Sequence, residues 1–194
     1  MKRSFTTKML ALAVGLATLT FGYAQTPYHT QALDVKLSGT STLHDWHMDA
    51  KQGTSDAAFV VEGDKLTSIA KLNFTLPVRN LKSESSGLDK NAYKAMNVEA
   101  NPNIQFVLTA SSITPAGGNN YNIKAVGKLT ISGTTKDTEL QATGTYNPAD
   151  KSITVNGSKK MKMTDFNVKP PTVMMGTIKT GNDITISYNL KYTK

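Results

Sequence analysis

Apolar side chains recur at every second residue in four separated runs of this chain. Leu33, Val35 and Leu37 alternate with Asp34, Lys36 and Ser38; Leu72, Phe74, Leu76 and Val78 alternate with Asn73, Thr75 and Pro77. Ile104, Phe106 and Leu108 form a third set, and Ile184, Ile186, Tyr188, Leu190 and Tyr192 a fourth. Consecutive side chains of an extended backbone leave on opposite faces, so this period specifies strands with one buried and one wet face. Such strands must pack two apolar faces together or roll one sheet on itself. A sandwich, a filled barrel and a barrel with a cavity all meet that demand, and periodicity does not choose among them.

Turn chemistry separates the runs. Glu62-Gly63-Asp64, Gly117-Gly118-Asn119-Asn120, Asn147-Pro148-Ala149-Asp150 and Gly181-Asn182-Asp183 supply glycine, asparagine and proline where a chain reverses. The stretch from Asn120 to Gly144, then Tyr146 and Lys151 to Ser158, reads as a meander of hairpins. One segment breaks the pattern. Ser86 to Met96 has no β-branched residue, and Leu88, Ala92, Ala95 and Met96 fall on one side of a helix. A helix of about three turns is marginal alone, so it is expected to pack across an end of the sheet. Late in the chain Met161, Met163, Phe166, Val168, Met174 and Met175 crowd together. Methionine adapts to irregular apolar shapes, so this cluster fits either loops over an ordinary core or a pliable lining for an apolar ligand.

The first 24 residues have a different character. Lys2, Arg3 and Lys8 form a basic start, Met9 to Gly22 carry no charge, and the small residues Gly22 and Ala24 precede Gln25. This is the three-part pattern of a secretory signal, and its apolar run is shorter than the ~20 residues that span a bilayer. Residues 1–24 are therefore expected to be an export signal and residues 25–194 a single mature domain. The chain has no cysteine, which excludes disulfides, thiol catalysis and cysteine metal sites. Setting aside Lys2, Arg3 and Lys8 leaves 19 basic residues against 14 acidic ones, a formal +5, with Arg79 the only arginine. Bidentate reading of phosphates and bases favours arginine, so nucleic acid is not an expected partner. The positive balance suits solubility and a transient contact with anionic membrane surfaces. It leaves the oligomeric state open, a dimer included.

Signs of catalysis are sparse. His44-Asp45-Trp46-His47 is the most unusual tetrad. On a strand His44 and His47 would face opposite sides and serve one metal poorly. Asp45 beside His44 keeps open an acid–base reading, that of a hydrolase or isomerase on a lipid-like substrate. No Gly-x-Gly-x-x-Gly or Walker loop occurs. Leu129 to Lys136 reads as strand, tight turn and strand around Ser132-Gly133, and Asp137 and Glu139 read as solvated.

Four motifs in order carry a resemblance: Gly39-Thr40-Ser41-Thr42-Leu43-His44-Asp45-Trp46; Leu81-Lys82-Ser83 through Leu88-Asp89-Lys90-Asn91-Ala92-Tyr93 to Asn101-Pro102-Asn103-Ile104-Gln105-Phe106; Gly127 to Lys136; and Met161-Lys162-Met163-Thr164-Asp165-Phe166-Asn167. Together they resemble the YceI-like family of exported, lipocalin-like proteins commonly described as polyisoprenoid-binding. Met163-Thr164 and Asn167 stand where that family usually has an arginine and a glycine around the late Asp-Phe. The resemblance implies an all-β fold, an extended antiparallel lipocalin-like barrel with a short helix near one end. It also implies an elongated cavity for a long isoprenoid or acyl chain, no cofactor beyond such a lipid, no catalysis, and a periplasmic address. The lining expected on this basis is Trp46, Phe74, Phe106, Leu108, Leu129, Met163, Phe166 and Tyr188, with Asp45, His47 and Lys162 at the mouth. The rival to lipid binding is a structural or protein-interaction module whose barrel is packed solid.

Overall fold

The computed structural model describes residues 26–194; the expected export signal, 1–24, lies outside the described residues. In chain order the strands are β1 (Thr26–Ser41), β2 (Trp46–Ala50), β3 (Thr54–Glu62), β4 (Lys65–Pro77), β5 (Asn103–Pro115), β6 (Asn120–Ile131), β7 (Thr134–Asn147), β8 (Ser152–Lys162), β9 (Thr172–Val173) and β10 (Ile178–Thr193). A helix, α1 (Ser86–Ala95), lies between β4 and β5, and short 3₁₀ turns occupy Val78–Asn80, Met163–Phe166 and Met174–Gly176. Every strand pair is antiparallel.

The sheet closes. β3 through β8 pair in sequence, β8 pairs with β10, and β10 returns to β1 from Thr193 opposite His29 to Thr180 opposite Ser41. The other edge of β1 meets β3 near Thr26–His29 and β2 near Val35–Gly39. β2 and β3 are thus two halves of one interrupted strand, and the barrel has eight strand positions. Closure removes the unpaired edges that an open sheet of this length would expose.

The alternation read from the sequence sets the inner face, with phase changes at bulges. On β5, Ile104 and Phe106 point inward; a bulge between Leu108 and Ala110 then shifts the inward set to Ser111 and Ile113. β4 ends at Pro77, so Val78 belongs to the following 3₁₀ turn rather than to the strand, although it is fully buried. Gly181-Asn182-Asp183, expected as a turn, lies inside β10. The pairing jumps there from Gly39–Ile184 to Ser41–Thr180, so the extra residues form a bulge. The Asn182 amide fixes it, accepting from the Thr164 backbone N–H at 3.1 Å and donating to the Thr164 hydroxyl at 2.9 Å.

Most of the interior is filled. At the end away from α1, Tyr28, Phe59 and Tyr192 stack edge to face, with centroids 5.3 and 5.2 Å apart, and none is exposed. Ser55 and Tyr192 share a buried hydrogen bond of 2.8 Å across this plug. Higher up, two glycines leave room for rings from neighbouring strands. Phe106 lies over Gly127 and the Tyr188 phenol over Gly157, each where a Cβ would collide with it.

Two consequences follow for stability. Burial pushes the Tyr192 phenol up to about 12, against a smaller opposing effect of its bond to Ser55. The folded state therefore holds this proton more tightly than the unfolded chain. Its contribution is complete below the ordinary phenol value near 10 and is lost as pH rises towards 12, a loss of about 2–3 kcal/mol. Urea unfolding between pH 8 and 11.5 should show this decline, and Tyr192→Phe should reduce it, the remainder coming from Tyr188, whose phenol burial raises as far. Gly127→Ala should destabilise by about 1–3 kcal/mol because its methyl strikes the Phe106 ring and the Val107 carbonyl; the same unfolding midpoints measure it.

Candidate functional site

The filled interior stops short of the α1 end, and what holds the helix there is explicit. After β4 the chain makes a bridge with the free edge of β2: the Asp49 N–H donates to the Lys82 carbonyl at 2.7 Å, and the Lys82 N–H to the Asp49 carbonyl at 2.8 Å. Ser85 caps α1, accepting from the Leu88 N–H. The buried Asp89 carboxylate accepts from the Ser83 N–H at 2.8 Å and the Ser83 hydroxyl at 2.7 Å. The Tyr93 hydroxyl donates to the Leu81 carbonyl at 2.6 Å. These bonds tie both the first and the last turn of α1 to the segment that precedes it. The side with Leu88, Ala92, Ala95 and Met96 then faces the barrel, as the spacing anticipated.

Beneath that face lies a cavity of about 390 Å³. Such a volume falls within the ~300–1,000 Å³ of small-molecule sites. Its floor and walls come from inward residues of several strands, among them Leu37, Met48, Ile104, Ile131, Ile184 and Ile186. The 3₁₀ turn at Met163–Phe166 closes one flank, held by its own capping bonds and by a left-handed Asn167. Trp46 forms another part of the wall. Its indole lies flat on Gly39, where a Cβ would approach it to 2.5 Å, and its Nε1 donates to the Thr40 carbonyl at 2.9 Å. Ser41, His44, Ser85, Asn91 and Thr180 are the polar residues along an otherwise apolar surface.

Of the lining expected from the sequence, the fold gathers Trp46, Met163 and Phe166 around this cavity. The other five stand elsewhere. Phe106 and Leu129 face each other on β5 and β6 and are buried in the packed middle of the barrel. Phe74 is opposite Phe106, and Leu108 is opposite Gly127 on the same strands, both partly buried against that core. Tyr188 fills the space left by Gly157, and burial raises its phenol to about 12. All five are placed by height along the barrel axis, which period two does not encode.

The expected mouth residues are also placed differently. Trp46 and Met48 point inward on β2, so His47 between them points out, 3.5 Å from the Asp49 carboxylate. Asp45 and Lys162 are exposed and outside the cavity wall. His44 does reach the cavity, because it sits on the turn before β2 rather than on a strand. Its Nδ1 contacts the backbone carbonyl of Asp45 at 2.7 Å, not the carboxylate, so the two side chains do not form an acid–base pair. Asp137 is exposed and Glu139 half-buried, and they pair with Lys128 and Lys124 of the neighbouring strand, at 2.7 and 2.8 Å. Among the described residues no three His, Asp or Glu side chains gather in a metal-holding group.

The sequence reading also passed over cavity residues. Ile186 and Ile184 belong to the run that yielded Tyr188, and they sit one and two side-chain steps nearer the helix end. Leu88 and Ala92 were legible as an apolar helix face in search of a partner.

The model of the YceI-like domain matches residues 23–192. No curated protein sequence matches the chain. Among solved structures, BcnA of Burkholderia cenocepacia superposes with a TM-score of 0.64 at 22% identity, covering 82% of this chain and 95% of that one. A polyisoprenoid-binding domain from Saccharophagus degradans, described as implicated in plant cell wall breakdown, gives 0.60 at 9% identity, covering 86% and 97%. The YceI protein of Campylobacter jejuni gives 0.54 at 18% identity, covering 72% and 81%. At these identities the structural likenesses bear on the fold alone. The match of the family model over nearly the whole chain settles membership: this protein belongs to the YceI-like family.

Proposed function

We propose that this protein binds a long apolar lipid, of isoprenoid or acyl type, with the chain seated in the cavity beneath α1. The observation that carries the reading is the cavity itself: a roofed space walled by Trp46, Met48, Phe166 and Ile186 in a barrel that is otherwise packed. The polyisoprenoid-binding description of the Saccharophagus degradans domain supports it. Each methylene moved from water to such walls contributes ~0.8 kcal/mol, from which association and chain ordering subtract a large share. Binding then needs no ionic contact. A polar head would find partners among the polar lining residues, such as His44, Asn91 and Thr180.

A lipid held this way is shielded from water, which fits carriage, storage or buffering in the cell envelope without chemical change. The basic start, uncharged run and small-residue end of residues 1–24 support export, and the periplasm is the proposed address. Mature protein from the periplasmic fraction should begin at Gln25 by intact-mass measurement; full-length protein retained in the cytoplasm would refute this address.

Trp46 is the sole tryptophan and stands in the cavity wall, so ligand entry should alter intrinsic fluorescence directly. Titration with farnesol and geranylgeraniol should give a saturable change. Ala95→Phe, which projects a ring into the cavity from α1, should weaken that binding by about tenfold or more with circular dichroism unchanged. Wild-type affinity in the folded variant would count against this site.

A further inference from the structure

We propose that the rim of the cavity docks on an anionic lipid bilayer, with Met174, Met175 and Leu43 entering the bilayer surface. This names the source from which the lipid is collected, and to that extent it rests on the binding reading above.

Met174 and Met175 sit at the tip of the β9–β10 hairpin, 73% exposed and fully exposed, and Leu43 is 66% exposed. These are three of the four exposed large apolar residues among the described residues. Neither burial nor turn chemistry accounts for the methionines. Both adopt left-handed backbone, φ 51° and 52°, followed by Gly176 at 90°. Asparagine or aspartate fits that conformation with less strain than methionine. The tip is nevertheless well defined: the Thr177 N–H donates to the Met174 carbonyl at 3.1 Å, and Val173 pairs with Ile178 just below. The Leu43 turn is stitched to the same hairpin. The Thr42 N–H donates to the Lys179 carbonyl at 3.0 Å, and the Lys179 N–H to the Thr42 hydroxyl at 3.1 Å. Leu43, Val173 and Ile178 also line the cavity, so the exposed apolar tip continues into its interior.

Charge selects the partner. Between residues 162 and 183 there are three lysines, Lys162, Lys169 and Lys179, and two acids, Asp165 and Asp183, the latter opposite Lys162 across the strand pair. All three lysines are exposed, and none joins an ion pair among the described residues. Asp45 is the acid on the neighbouring Leu43 turn. Apolar tips flanked by lysine are the composition of surfaces that lie in an anionic interface. Pairing of two copies through this face would set lysine against lysine.

The absence of cysteine allows a single label. Met175→Cys carrying an environment-sensitive dye should shift to shorter wavelength on phosphatidylglycerol–phosphatidylethanolamine vesicles. The same dye on Asn119→Cys, at the opposite end of the barrel, should not. Met174→Asn/Met175→Asn, which suits the left-handed turn, should weaken vesicle flotation about tenfold or more. Lys169→Glu and Lys179→Glu should each weaken it about fivefold. Wild-type flotation no better than to phosphatidylcholine, or equal flotation of the asparagine variant, would overturn the proposal. So would a dye shift without vesicles accompanied by a doubled mass in sedimentation, which would assign the tip to a second copy. Flotation without any farnesol response at Trp46 would refute lipid binding in the cavity and leave docking standing; a farnesol response without flotation would do the reverse.

Discussion

The pairing of β1 with β10 is the constraint on which everything else hangs. It joins the first and last strands of the described chain along almost their full length, from His29–Thr193 to Ser41–Thr180. Until it forms, the sheet has two long edges and its apolar face has no opposite wall. Once formed, it fixes which side chains share the interior at each level. Contacts this distant in sequence form late and at large loop entropy, so slow folding is expected of such a barrel. Closure also shapes the cavity. The upper part of β10 brings Ile184 and Ile186 under the helix, and its extension beyond the bulge carries the β9 hairpin to the rim.

Within the closed wall, the two ends are treated differently. The far end is plugged by Tyr28, Phe59 and Tyr192, and the middle by rings packed over Gly127 and Gly157. Near α1 the strands turn mostly aliphatic residues inward, with the Trp46 and Phe166 rings at the wall, and two of the helix positions over the cavity, Ala92 and Ala95, are small. The space stays open because the helix cannot descend into it. Its position is set by Asp89, Tyr93 and the Lys82 bridge to β2, all bonds to the frame. The plug supplies stability and the helix end supplies room, so the protein can keep a cavity without loosening its whole core.

Much of this was legible in residue order. Alternation marked the inner faces of β1, β4, β5 and β10, the glycine and asparagine clusters marked three of four turns, and the missing β-branched residues marked α1. The choice between sandwich and barrel came from the resemblance, because period two is the same in both. Height along the axis was not legible. Two residues along a strand shift a side chain by about 6–7 Å, enough to separate Ile186 in the cavity from Tyr188 in the packed wall. Bulges hid a further part: Gly181-Asn182-Asp183 has the composition of a turn, and only its pairing with β1 and its bonds to Thr164 make it a bulge. Methionine enrichment pointed to the right segment but not to its division. Met163 faces the cavity while the left-handed tip sends Met174 and Met175 outward.

The space beneath α1 is proposed as a lipid site. Native mass spectrometry of protein purified gently from the cells that make it, with solvent extraction of whatever is released, would decide whether it is one. A lipid site should yield a stoichiometric apolar molecule whose mass identifies a prenyl or acyl chain, and Ala95→Phe should lose it. Folded protein that carries nothing, and takes up nothing after incubation with prenyl and acyl lipids, would contradict it and leave a structural or protein-interaction module in its place.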